Sequence, residues 1–268
     1  MTFPVVAAVN GGNNAVDSTS HTVNLPTGIA SGHLLLVFFA SDGIPTITFP
    51  SGWTQLFQTA DLGEAVKFGA WYRVADGTEG ATITVTTSVV EMTAHTSYRI
   101  TGYSGTPEVG TATTGSGDIP DPPSKAPSWG ALDTLWFASC GYEGNLTVTA
   151  YPTNYTNGRN DYTDNADGCG VGTARRALNA ASENPGTFTL AGGTAWVANT
   201  VAVKPVTSVA QAVGDGAIAI VGTLISIKRT LSAVGNGTIT IAGTLGLLIK
   251  TSVGAGAIAI AGTLVNVK

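Results

Sequence analysis

The chain reads as all-β: a two-sheet sandwich over residues 1–205, followed by a small three-repeat β module over residues 206–268. Three observations carry that reading. Short runs rich in Val, Ile, Thr and aromatic residues recur along the first part, most alternating apolar with polar, which is the period of strands with one face on a core. Gly, Pro, Asn, Asp and Ser separate the runs and supply the turns. From Val206 to Lys268 there is no Phe, Tyr, Trp, Cys, Pro or His, and one twelve-residue segment is written three times with small changes.

The runs, in order, are HTVNLP, LLLVFFAS, TITFP, VKFGAWYRV, ATITVTTS, HTSYRITGY, TLWFASCGY, NLTVTAYP, GTFTLAG and AWVANTVAVK. In ATITVTTS, Ile83 and Val85 share one face and Thr82, Thr84 and Thr86 the other, so one side meets the core and the other meets water. LLLVFF does not alternate and predicts a central strand covered on both faces. TARRALNAAS, from Thr173 to Ser182, is the one helix candidate, short enough to be a single segment between strands. The stretch from Ser104 to Trp129 carries five prolines; a loop of that kind is functional, a partner contact, disordered, or the crossing between two halves of the sandwich.

The repeats are VGDGAIAIVGTL from Val213, VGNGTITIAGTL from Val234 and VGAGAIAIAGTL from Val253, spaced 21 and then 19 residues apart. Within the first copy Ile218 and Ile220 alternate with Ala217 and Ala219, predicting a short strand with one apolar face. Gly222-Thr223 turns the chain and Leu224 begins a second strand ending at Lys228, a hairpin-like unit. Ile239, Ile241 and Leu245, then Ile258, Ile260 and Leu264, repeat the same face. Asp215, Asn236 and Ala255 hold one equivalent place, so that position is not a metal site. Units this small without aromatics bury too little to fold alone, and they become stable by stacking on neighbours or pairing with other chains. The expectation is a β-prism or intertwined β-stalk made by several chains, favoured over a single-chain solenoid, and hence a homo-oligomer.

Charge divides the chain at the same boundary. Residues 1–205 hold eight Lys/Arg against sixteen Asp/Glu, net −8, and residues 206–268 hold four against one, net +3, which sum to the −5 of the whole. Only 11% of residues are charged, which suits a protein that buries surface against partners. The longest basic cluster is Arg175-Arg176, so no nucleic-acid partner is expected. No run reaches the length of a membrane span. MTFPVVAAVN lacks a basic start and a long apolar stretch, so synthesis in a cytoplasm without export is expected.

Catalytic, cofactor and metal motifs are absent, and no cofactor or metal is expected. His21, His33 and His95 lie far apart and read as strand or turn residues. Cys140 and Cys169 read as two separate buried thiols. Asp76, Glu79 and Glu91 are the nearest carboxylates for glycan cleavage, but ADGTEG reads better as a tight turn. NDYTDNADG gathers Asp161, Asp164, Asn165 and Asp167, with Thr163 where a calcium loop needs its first ligand, so a solvated turn is the better reading. Trp136 and Trp196 lie inside apolar strands and belong to the core. Trp129 closes the proline-rich stretch, and Tyr142, Tyr151, Tyr155 and Tyr162 lie in a Gly/Asn-rich region; Trp129, Tyr142, Tyr155 and Tyr162 are the candidates for stacking on sugar rings.

SGHLLLVFFASDG, TFPSGWTQLF, AWYRVADGTEGATITVTT and YRITGYSG, followed by ASENPGTFTL and AWVANTVAVKP, resemble a family of tailed-bacteriophage and prophage virion proteins, PSGW and YRVADGTEGAT being the most specific part. The resemblance covers most of residues 1–205, and the terminal repeats look like the Gly/Thr/Ile repeats appended to such proteins. It implies a jelly-roll-like sandwich and a virion structural role, as a capsid decoration protein or a head or tail fibre component made in the host cytoplasm. It also implies a trimer with other virion proteins as partners and host-surface polysaccharide as a possible ligand. The rival readings are a glycan-cleaving tailspike-like depolymerase and a prophage-encoded adhesin.

Overall fold

A computed structural model describes residues 2–206 and, beyond them, the backbone of five short strands between Ile218 and Ala261. Leu224, Leu245 and Leu264 of the repeats lie outside the described residues. The chain divides into two compact units, Met1–Thr207 and Ser208–Lys268. The described residues are all-β, and no helix among them is long and apolar enough to cross a membrane.

The first sheet is drawn from the first half of the larger unit: β1 (Val5–Asn24), β2 (Leu34–Asp42), β3 (Ile47–Thr48), β4 (Thr54–Ala60), β5 (Val66–Val74) and β6 (Thr82–Thr101). The strands pair antiparallel in the order β1-β6-β2-β5-β4, with β3 on β6. As its unbroken apolar run requires, β2 is covered on both faces. Leu34, Leu36 and Phe38 enter the core between the sheets, whereas Leu35, Val37 and Phe39 pack outward with Trp71, Val23 and Val85. Phe38 stacks on Phe68 at 6.3 Å and meets Phe137 of the other sheet at 5.8 Å, so the aromatic core ties the two layers together.

The second half follows with β7 (Glu108–Val109), β8 (Thr113–Gly117), β9 (Leu132–Glu143), β10 (Val148–Ala150), β11 (Thr156–Tyr162), β12 (Cys169–Ala180), β13 (Thr189–Leu190) and β14 (Thr194–Val203). Here the order is β7-β14-β9-β12-β11, with β8 also on β14 and β10 paired to β13. This is the first sheet over again: β14 stands for β6, β9 for β2, β12 for β5 and β11 for β4, while β7 and β8 together take the place of β1. The proline-rich stretch from Ser104 contributes β7 and β8 and is the crossing between the halves.

Local chemistry repeats with the topology. Pro50-Ser51-Gly52-Trp53-Thr54 and Pro152-Thr153-Asn154-Tyr155-Thr156 enter β4 and β11 through one turn. Gly52 (φ 86°) and Asn154 (φ 67°) take its left-handed position, which Gly and Asn tolerate best. The Trp53 and Tyr155 N–H groups each donate to their proline's carbonyl, at 3.3 and 3.1 Å. Arg73 pairs with Glu79 at 2.8 Å after β5, and Arg176 with Glu183 at 2.9 Å beyond the corresponding point of β12.

Two expectations are corrected by this architecture. Thr173–Ser182 is not a helix, because all but its last two residues lie in β12, which is hydrogen-bonded on both sides by β9 and β11; sheet pairing overrides the helical preference of Ala, Arg and Leu. Each sheet comes from one contiguous half of the sequence, so the strands do not interleave between sheets as the expected jelly roll requires.

In the smaller unit, β15 (Ile218–Val221), β17 (Thr238–Ala242) and β19 (Ala257–Ala261) form one parallel sheet, and β16 (Leu231–Ala233) and β18 (Thr251–Val253) pair parallel in another. Ile218, Ile239 and Ile258 stand in register, as do Ile220, Ile241 and Ile260. The described strands therefore pair between copies rather than as hairpins within one. The same strand pattern in each copy lets it lie beside the next in register, which is how a solenoid stacks.

Candidate functional site

The pseudo-equivalence of the halves exposes one place where they differ in chemistry. Thr54 lies opposite Tyr72 and Thr156 opposite Arg175; after a bulge, Phe57 lies opposite Ala70 and Arg159 opposite Thr173. Further along, Thr59 faces Phe68 and Asp161 faces Val171. Phe57, Thr59 and Tyr72 of the first half thus correspond to Arg159, Asp161 and Arg175 of the second. Phe57 is buried against Phe68 at 5.5 Å, and Tyr72 packs on the inter-sheet core with its hydroxyl 3.3 Å from that of Thr106. That end of the sandwich is filled with apolar side chains.

At the other end a cleft of about 230 Å³ opens between the layers, lined by Val9, Tyr98, Asn157, Gly158, Arg159 and Arg175. Arg159 clasps Asp161 with two bonds, Nε to Oδ2 at 2.7 Å and Nη2 to Oδ1 at 2.8 Å. Asp161 also accepts from the Thr96 hydroxyl of β6 at 2.7 Å, and a Cβ on Gly11 of β1 would collide with this carboxylate. Glycine at that position lets β11 close against the first sheet. Tyr98 is buried beneath, its hydroxyl 2.6 Å from Thr173, and burial raises its pKa to about 12.

Arg175 stands apart. It is half-buried, and among the described residues its guanidinium makes no hydrogen bond or ion pair. Arg73 and Arg176 meet carboxylates, Arg99 donates to the Thr27 carbonyl, Lys67 to that of Pro45, Lys125 pairs with Glu108, and Lys204 sits over the Trp129 ring. Burial lowers the Arg175 pKa. For Arg159 desolvation works in the same direction, but the Asp161 carboxylate outweighs it and the pKa is raised.

The aromatic candidates do not assemble into a sugar-stacking surface. Tyr142 is fully buried, donating to the Leu146 carbonyl at 3.0 Å, and Tyr155 is buried on the same outer face of the second sheet. Trp129 packs against that cluster, donates to the Thr134 hydroxyl at 3.0 Å and carries Lys204 on its ring. Tyr162, half-buried, ends β11, where its carbonyl accepts from Asn13. An outer sheet face needs large side chains to cover it, and the Trp129, Tyr142 and Tyr155 rings serve that need. Asp161 is likewise spent on Arg159 and Thr96, while Asp164, Asn165 and Asp167 stay in the exposed turn after β11.

The remaining titratable groups are dispersed. Asp76 and Glu79 clamp the turn after β5 onto Arg73. Glu91 instead meets Asp42 across the first sheet. Burial raises both carboxyls, Asp42 to about 6 and Glu91 to about 7, and each is further affected by the other. His21 is buried between the Thr87 and Thr93 hydroxyls, and His95 accepts the Asn24 N–H at 2.9 Å, with burial lowering its pKa to about 4. Cys140 and Cys169 are free and buried, and burial pushes both thiols up.

No protein family, curated protein or solved structure matches this chain. The cleft has no signal in the sequence: Arg175 lies in a stretch that reads as a helix, and only the pairing of β11 with β12 sets Arg159 and Arg175 beside the same cleft.

Proposed function

We propose that the protein is a structural, adhesive component of a tailed-bacteriophage or prophage particle, with the sandwich as the displayed body and the repeat module as the assembly element. The observation that carries this reading is the in-register parallel stacking of β15, β17 and β19, whose outer strands each keep one edge unpaired among the described strands. Such edges are templates for another chain. The proposed assembly is a trimer, closed so that the edges do not propagate into fibres. Glycan cleavage is the weaker reading, because Asp42 and Glu91 lie within hydrogen-bond contact, closer than the roughly 5 Å that a nucleophile and an acid need to flank a glycosidic bond.

Light scattering on the full chain and on residues 1–205 tests it. The full chain is expected to be a trimer at micromolar concentration, residues 1–205 a cooperatively melting monomer, and the full chain with Ile239→Asp and Ile241→Asp a monomer with an intact sandwich. A monomeric wild type, or unimpaired assembly of the double variant, overturns the assembly role.

A further inference from the structure

We infer that the cleft between the layers, bordered by β11 and β12, is a binding site for a single carboxylate on a small hydroxylated ligand, the chemistry of a uronic acid, with Arg175 as its direct partner. The first argument is the orphaned guanidinium. An arginine partly withdrawn from water without an acceptor forfeits hydration that nothing in the fold returns. The other four arginines among the described residues are all anchored.

The second argument is the duplication. At the equivalent places of the first half the fold uses Phe57 and Tyr72 to fill the space between the layers, so this scaffold does not require arginines there. The second half trades that filling for charge and leaves a void beside it.

Charge and size then select the ligand. Arg159 and Arg175 against Asp161 leave one net positive charge, which one carboxylate neutralises and a phosphate dianion exceeds. Asp161 holds Arg159 in place and repels a second negative charge. The volume of about 230 Å³ lies below that of pockets built for larger ligands, and suits one monosaccharide unit. The bulge between Thr156 and Arg159 takes Asn157 and Gly158 out of the β12 ladder, leaving polar backbone and the Asn157 amide at the rim for hydroxyls. Val9 and Tyr98 offer an apolar wall for a ring face.

As a source of ligand this inference rests on the adhesive reading, in which an acidic surface polysaccharide presents the uronate; the cleft itself does not. Saturation-transfer NMR and calorimetry on the full chain, with glucuronate, glucose and inorganic phosphate as separate probes, test it. Saturable glucuronate binding is expected, with none for glucose and weaker binding for phosphate. Arg175→Gln is expected to weaken it by about tenfold or more, the loss of a charge-assisted bond, and Arg175→Lys by less, since charge remains without the planar fork. Unchanged melting of Arg175→Lys shows that its loss is not one of folding, even if Arg175→Gln misfolds. Phosphate binding more tightly than glucuronate overturns the choice of ligand. No glucuronate binding, or binding indifferent to both variants, overturns the site. If free glucuronate binds but a uronate-containing polysaccharide does not, the site stands and the adhesive reading falls.

Discussion

The two halves of the sandwich share a strand order, an entry turn and an Arg–Glu clamp, yet they finish the space between the layers in opposite ways. The first half closes it with Phe57 and Tyr72; the second sets Arg159 and Arg175 beside a void, with Asp161 holding Arg159. What repeats is what the backbone needs. Gly or Asn best tolerates the positive φ of the entry turn, and an acceptor is required where a hairpin leaves N–H groups unmet. Side chains aimed into the interlayer space carry no such backbone duty, so they were free to diverge.

The hairpins joining β4 to β5 and β11 to β12 sharpen the comparison most. In both, one residue donates its N–H and receives one back: Asp61 to the Val66 carbonyl and Thr163 to that of Cys169, each at 3.0 Å. Asp61 is buried and accepts three N–H groups, from Gly63, Ala65 and Val66, whereas the Thr163 hydroxyl accepts only that of Cys169. Asp61→Ala is therefore expected to cost about 3 kcal/mol and Thr163→Ala about 1 kcal/mol. In a unit of this size that lowers Tm by roughly 6–12 °C and 2–4 °C respectively, read by calorimetry. Equal losses would mean that the two turns are not the same device.

A smaller effect, of opposite sign, comes from rewriting the cleft in the first half's residues. Arg159→Phe, Asp161→Thr and Arg175→Tyr together replace a charged, half-filled space with apolar packing. The triple variant is expected to melt about 2–4 °C higher, for a gain of roughly 1 kcal/mol, and to lose any response to glucuronate. A large drop in Tm would show that the Asp161 bond to Thr96 bears more of the interface than the packing can replace.

The smallest effect is on pH dependence. Asp42 and Glu91 have folded pKa values of about 6 and 7, above their ordinary 3.8 and 4.5, so the folded state keeps protons that the unfolded chain releases. Their contribution is full below about pH 4 and is lost as pH rises through 6 to 7. His95 works the other way: its pKa falls from 6.5 to about 4, so its contribution is present above pH 6.5 and lost as pH drops toward 4. Glu91→Gln removes the Glu91 part of the first effect, and this variant is expected to melt above wild type at pH 8 and level with it at pH 4. A constant offset across that range would count against the shared proton.

Much of the fold was legible from residues alone because its signals are local. Alternation marked the strands, LLLVFF announced a strand buried on both faces, and ADGTEG announced a tight turn, which Arg73 clamps. TARRALNAAS misled because its helical preference is local, whereas the ladders that make it a strand come from β11 across a hairpin and from β9 farther away in sequence. The aromatic candidates misled for a related reason: a Tyr in a polar stretch of sequence can still face a sheet that needs covering, as Tyr142 and Tyr155 do.

By itself, then, the sequence determined the all-β class, the change of composition near residue 205 and the threefold repeat, since periodicity and turn chemistry act over a few residues. Only the tertiary structure decided that the sandwich is one sheet written twice, that copies of the repeat pair parallel and in register, and that Arg175 and the Asp161-anchored Arg159 line one cleft. Strand order and register are settled by which long-range pairings bury the most apolar surface and leave the fewest N–H groups unmet. That competition runs over the whole chain, and no short stretch of it records the outcome.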